Sequence, residues 1–578
     1  MKRTYKKYII GLFIALSALQ YGCNKSLDLD PLDKIGDGNF WKTQSDFKTF
    51  ANQFYSWRRD FSSSVYDAPH SDRRSDLITS TNANVFSNGT NTIPASDGTY
   101  SGAFARIRLT NTLLTKAAGY GKPEEIAQFV AEAKFFRAYV YFDLLQLYGN
   151  APIVDRLLET NDPALYGPRN DRSEVADFII ADLKAAIPDL PLQSKVTEAG
   201  RLSKGAAQAF LSRVALFEGT WQKFRGNTQR GIDLLDIAAK AAKDVMISNE
   251  YALFNPVSLG DSAQKYMFIL EETKSNPAGL KKSDNKEYIF SNRHDEIINP
   301  IGSNITQETF ANVQWISRKL ATMYLSSNGL PIDNPNNTQF QGYNTMNSEF
   351  QNRDNRMKYT LMPAYKAYWR NTSPRVTWLG NAADLASAAF TSFQPTYGSG
   401  YHNQKWAAER AVPDRAEGYD YPIIRYAEVL LNYAEAVYER DNAISDDDLD
   451  ISLNLVRRRV NINMPKLSNA FATANGLNMQ TEIRRERTIE LFNEGFRIDD
   501  LKRWKTAEIE MPQDILGIKW TGTEFQTKWG SVTKPRNSNG LLIMESGRTW
   551  NNRNYLYPLP LDQLTLNPAL GQNPDWQN

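Results

Sequence analysis

Apolar residues recur at steps of three and four along several stretches of the chain, the spacing that puts them on one face of a helix. In EIAQFVAEAKFFRAYVYFDLLQLYGN, residues 125–150, they are Val130, Ala133, Phe136, Val140, Leu144 and Leu147, with Gly149 as the stop. RLSKGAAQAFLSRVALFEGTW, residues 201–221, repeats the form with Ala207, Phe210, Val214 and Phe217, and puts Gly219 where the stop belongs. Residues 231–247 predict a third helix. IIRYAEVLLNYAEAVYER predicts a fourth, with Ala427, Leu430, Ala434 and Val437 in line. SDDDLDISLNLVRRR predicts a fifth, with Leu449, Leu453 and Val456 inward. Its acids come first and Arg457, Arg458 and Arg459 last, as a helix dipole prefers.

Alanine beside Tyr, Phe and Leu in these helices suits antiparallel pairs packed small against large. They loosely resemble tetratricopeptide units, although no clean 34-residue repeat is present. Between them lie loop-rich regions, chiefly 60–105, 255–420 and 510–555, and loops of that length in a compact protein are usually functional. The expected fold is mostly α, a scaffold of helix pairs with an irregular loop-rich half.

Composition narrows the function classes. Four of the 67 Lys and Arg fall in residues 1–22, which hold no acid, leaving 63 basic against 65 acidic residues. That near-neutral balance argues against nucleic acid as a partner, so the three arginines at 457–459 read as a helix terminus and Asp446–Asp448 as its counterpart. His70, His294 and His402 are scattered without metal-ligand spacing, and the chain has no nucleophile elbow, Walker loop or dinucleotide fingerprint. No metal, cofactor or catalytic residue is therefore assigned.

The N-terminus carries Lys2, Arg3, Lys6 and Lys7, then an apolar run from Ile9 to Leu19 that is short of the roughly 20 residues a membrane span needs. This is the layout of a secretory signal. Gly22 precedes Cys23, the only cysteine, and the order resembles a bacterial lipoprotein signal, with Gln20 where the usual lipobox has Leu. The expectation is a signal over 1–22, an acylated Cys23 as lipid anchor, and a tether over 23–40. The body would then span 41–578, divided near residue 330.

RRERTIELFNEGFRIDDLKRW, residues 484–504, and YLYPLPLDQLTLNPALGQNPDW, residues 555–576, resemble the SusD/RagB family of outer-membrane nutrient-binding lipoproteins. AEAKFFRAYVYFDLLQLYGNAPIV, GRLSKGAAQAFLSRVALFEGTW, NGLPID, NRDNRM and YPIIRYAEVLLNYAEA agree, in order. The resemblance implies four tetratricopeptide-like helix pairs, a loop-rich half carrying an oligosaccharide or sometimes a peptide site, and a TonB-dependent SusC-like transporter as partner. It also implies an outer-membrane location. The alternatives from other classes are a surface glycoside hydrolase and a helical adaptor without small-molecule cargo.

Glu490, Glu494, Asp499 and Asp500 could be mistaken for hydrolytic carboxylates. They alternate with Arg487, Arg497 and Arg503 along an apolar line of Ile489, Phe492 and Phe496, so a structural role is expected. A sugar site instead needs flat aromatics beside amides, carboxylates or guanidinium groups. Two loop regions offer that mixture. One is 70–91, with Arg74, Asp76, Asn84 and Phe86. The other is 310–380, with Trp315, Tyr368, Trp369 and Trp378. Arg74 and Asp76 could also pair with each other, and Trp315 sits in a plausible helix.

Overall fold

The computed structural model describes residues 40–576 apart from 81, 307–308, 310–314, 364–366, 369–370, 375–397, 411–414, 529 and 531–533. The long helices are α1 (Gln44–Asn52), α2 (Gly98–Ala118), α3 (Pro123–Tyr148), α4 (Arg172–Ala186), α5 (Lys204–Lys223), α6 (Thr228–Ile247), α7 (Tyr426–Asp441) and α8 (Met479–Leu491), followed by the shorter α9 (Arg497–Arg503). From α2 to α8 each packs on the next in this order, which is the stacking expected of tetratricopeptide-like pairs. Their starts are set locally. The Asp97 side chain caps α2, the Ser203 side chain caps α5, and α3 opens with Pro123 and two glutamates.

The helical phases are those of the sequence, with corrections. Ala133, Phe136, Val140, Leu144 and Leu147 are buried, whereas Val130 is only half-buried; Ile126 and Phe129 do its work. Beyond Ala131 the helix is covered on nearly every side, because α2 and α4 both pack on it. Gly219 does not end α5. It lies inside the helix opposite Gly231 of α6, where an added Cβ would sit 3.1 Å from the Gly231 carbonyl oxygen. The predicted fifth helix is two short ones, Asp446–Asp450 and Leu453–Arg458, broken at Ser452. Leu449, Leu453 and Val456 still face inward.

Strands are few and paired in twos. Ile78–Thr79 (β1) pairs with Trp315–Ile316 (β3), and Tyr288–Asn292 (β2) with Tyr421–Arg425. Ile515–Lys519 pairs with Leu541–Glu545. Two cores result. The larger belongs to the helices; the smaller, around Ile78, Ile316, Tyr324, Met357, Ile518 and Trp520, lies under the loop-rich half. The C-terminal segment runs back over the helices: Tyr557 N–H donates to the Leu147 carbonyl, and Asn573 Nδ2 to that of Tyr148.

Candidate functional site

The stretch from α8 to α9 joins the two cores. Ile483 and Leu491 enter the helical core, and Ile489 and Phe492 the loop-side core. The carboxylates between them are out of water. Glu490 is fully buried and accepts from Arg425 Nη1 at 2.7 Å and Arg356 Nη1 at 3.0 Å, and it also pairs with Arg459. Glu494 accepts from Arg425 Nε at 2.7 Å and Lys405 Nζ at 2.6 Å. Burial pushes both acids up, but the surrounding cations outweigh it and hold both below the usual carboxylate range. Acids so enclosed reach no glycosidic bond, and their place is in the join. Arg457 and Arg459, read from sequence as a helix terminus, are buried partners in the same network through Glu486 and Glu287.

The N-terminal loop docks on the same stretch. Asp72 accepts from the Asn493 and Arg497 backbone N–H groups at 2.5 and 3.2 Å. Asp76 is 1 % exposed and accepts from Arg497 Nε at 2.9 Å and Lys319 Nζ at 2.9 Å. Arg74 donates to Asp67 and to the Tyr557 hydroxyl, and its guanidinium lies 3.6 Å from the Phe86 ring centre. Arg74 and Asp76, expected from sequence as ligand contacts, are thus both buried and engaged within the fold, and among the described residues they do not pair with each other. The Asn84 side chain is likewise used, accepting from the Phe86 and Ser87 backbone N–H groups. Trp315 is corrected: it lies in β3, not a helix, is 1 % exposed, and packs edge-on to His402. Trp369 and Trp378 lie outside the described residues. Tyr368 is in a two-residue strand, Ala367–Tyr368, paired with Asn371–Pro374.

The structure does bring the two sequence-predicted loop regions together, because Thr79 pairs with Trp315 and Ile78 with Ile316. Beside that pairing lies a group which the sequence reading passed over. Arg318 follows β3, and its guanidinium sits 4.3 Å from the Tyr343 ring centre. Phe340 meets Tyr343 edge to face at 5.0 Å, and both rings are half-buried. Arg318 Nη1 also donates to the Tyr401 hydroxyl at 3.3 Å, and that hydroxyl donates to buried Glu349 at 2.7 Å. This chain fixes the guanidinium against the aromatic pair. The amides of Gln341 and Asn344 are exposed in the same turn, and Gln339 Oε1 is buried without a hydrogen-bond partner among the described residues. Aromatic rings interleaved with planar amides and a fixed guanidinium can take the apolar face of a sugar ring and its hydroxyl rim. The signal was QFQGYN, residues 339–344, an alternation of amides and aromatics around a glycine.

Comparison with known proteins agrees with this architecture. A sequence profile described as "SusD family" matches residues 274–576, and one described as "Starch-binding associating with outer membrane" matches residues 30–216. A SusD-like protein of Bacteroides ovatus is 24 % identical over 388 residues, 63 % of this chain and 59 % of that one. The match thus spans under two thirds of that relative's length. Among solved structures, a SusD-like carbohydrate binding protein from Bacteroides fragilis superposes with a TM-score of 0.72 at 23 % identity, covering 92 % of this chain and 99 % of that one. A structure determined with a xylogluco-oligosaccharide superposes with a TM-score of 0.60 at 18 % identity, covering 91 % and 98 %.

Proposed function

The chain belongs to the SusD family, and we propose that it is a carbohydrate-binding lipoprotein of the outer-membrane surface that delivers oligosaccharides to a TonB-dependent SusC-like transporter. The observation that carries the binding step is the Arg318–Tyr343–Phe340 group beside the β1–β3 pairing, where aromatic rings, amides and a held guanidinium converge. Trp369 and Trp378 belong to the same loop region of the sequence and are proposed as further stacking residues. Cys23 is the proposed lipid anchor, since a basic and apolar leader and Gly22 precede it. Two or more acyl chains at about 0.8 kcal/mol per buried CH₂ give a stable attachment.

Titration of the purified protein with a panel of oligosaccharides and peptides, with product analysis, tests the reading. Saturable binding of an oligosaccharide without turnover supports it. Release of shorter sugars would make the protein a hydrolase, and binding of peptides alone would change the cargo. Stacking that buries roughly 60–80 Å² contributes about 1.5–2 kcal/mol, so Tyr343→Ala should weaken the glycan about tenfold or more. Cys23→Ser should release the protein from the outer-membrane fraction in cells lacking the transporter; full retention there would count against the anchor.

A further inference from the structure

A second cleft lies between α2, the segment 152–167 and the C-terminal residues 563–570. It encloses ≈ 380 Å³, a size that suits one or two rings of a small ligand. Its walls are largely apolar, and Tyr166 stands at its rim, 61 % exposed. Surface tyrosines scattered singly need no explanation, but this one borders a formed cavity.

The charge of the lining points to what the cleft takes. It is one-sided: the lining holds Arg108 and Arg156 and no carboxylate. Arg156 is neutralised by Asp162 at 2.5 Å. Arg108 donates to the Leu158 carbonyl at 3.0 Å, and among the described residues it has no carboxylate partner.

We propose that this cleft binds a ring compound with at least one apolar face and one carboxylate, the ring lying against Tyr166 and the apolar wall and the carboxylate on Arg108. A uronic acid and an aryl carboxylate both meet that description. The inference is independent of the glycan reading of the loop face, since the two share no residue.

The full mature chain is titrated by calorimetry with glucuronic acid, with 2-naphthoate, and with the neutral counterparts glucose and 2-naphthamide. At least one acid should bind about tenfold or more tighter than its neutral counterpart, and which acid does so identifies the source. Arg108→Gln should abolish that preference, and Tyr166→Ala should weaken the acid by about tenfold. Both substituted rim residues are exposed, so loss of fold does not cloud the result. Equal binding of acid and neutral forms, wild-type affinity in Arg108→Gln and Tyr166→Ala, or no binding of either acid would overturn the proposal. Tyr343→Ala serves as the control: loss of an acid's binding there, with the cleft variants unaffected, would also overturn it and return the site to the loop face.

Discussion

Glu490 shows how far a residue's role depends on its neighbours. It is buried among Arg356, Arg425 and Arg459, so removing its charge takes one carboxylate from three buried guanidinium groups, which are left to share Asp354, Glu486, Glu287 and Glu494. Breaking such a pairing costs about 3–5 kcal/mol. Glu490→Gln should therefore lower the denaturant midpoint by that equivalent at unchanged slope, while leaving glycan affinity per folded molecule as it was. A stable Glu490→Gln protein with altered sugar chemistry would reverse the assignment. Trp315 and Tyr343 make a matching contrast. Trp315→Ala empties a 1 %-exposed core position and should cost about 3–5 kcal/mol. Tyr343→Ala, at a half-buried rim position, should act on affinity and move the melting temperature little. At this scale the sequence showed residue types but not destinations: Arg74, Asp76 and Trp315 have ligand-binding chemistry, and long-range partners in residues 402–557 absorb it.

Elements were more legible, because a helix announces its face through spacing alone. The five predicted helical stretches all contain helix in the structure, and the break at Ser452 and the half-buried Val130 are local departures. Gly219 was misleading because a glycine that stops a helix and one that admits a neighbouring helix look alike in sequence. Its counterpart gives a sharp test. A Cβ at Gly231 would lie 2.8 Å from Lys223 Cβ and 2.9 Å from both the Gly219 oxygen and the Lys223 nitrogen, so α5 and α6 must separate. Overpacking of that kind costs about 1–3 kcal/mol, and Gly231→Ala should lose about that much in chemical denaturation. Gly102 of α2 has no atom within 4 Å of its hypothetical Cβ. Gly102→Ala should accordingly gain roughly 0.5–1 kcal/mol from helix propensity. Equal effects of the two substitutions would mean that the α5–α6 approach is not held by these glycines. The aromatic–amide turn at 339–344 escaped the sequence reading for the opposite reason, since it has no period, and only its folding against Arg318 makes it a surface.

For the whole molecule, the buried acids predict how stability follows pH. The sign differs between two sets of acids. In Glu490, Asp76 and Glu435 burial favours the neutral form, but Arg459 with Arg425 and Arg356, Arg497 with Lys319, and Arg503 respectively outweigh it. Their native carboxyls titrate below the unfolded ones, Glu435 at about 2 against 4.5. Their contribution is therefore complete above the unfolded value and is lost as pH falls from there through the native value. Asp72 and Glu417 behave oppositely. Burial outweighs the backbone N–H groups that each accepts, and both are pushed up to about 7. Folded protein holds their protons longer than unfolded protein does, so stability declines as pH rises from the unfolded carboxylate range to about 7. The two trends meet in a maximum at about pH 4.5, where the unfolded carboxyls titrate, falling steeply on the acid side. Melting temperatures measured from pH 3 to 8 should trace that shape. Glu490→Gln should flatten the acid limb, because one fewer proton is taken up on unfolding at low pH, and Asp72→Asn should flatten the limb between about 4 and 7. A curve that rises steadily to pH 8, or variants that keep both wild-type slopes, would show that these buried acids do not set the pH dependence.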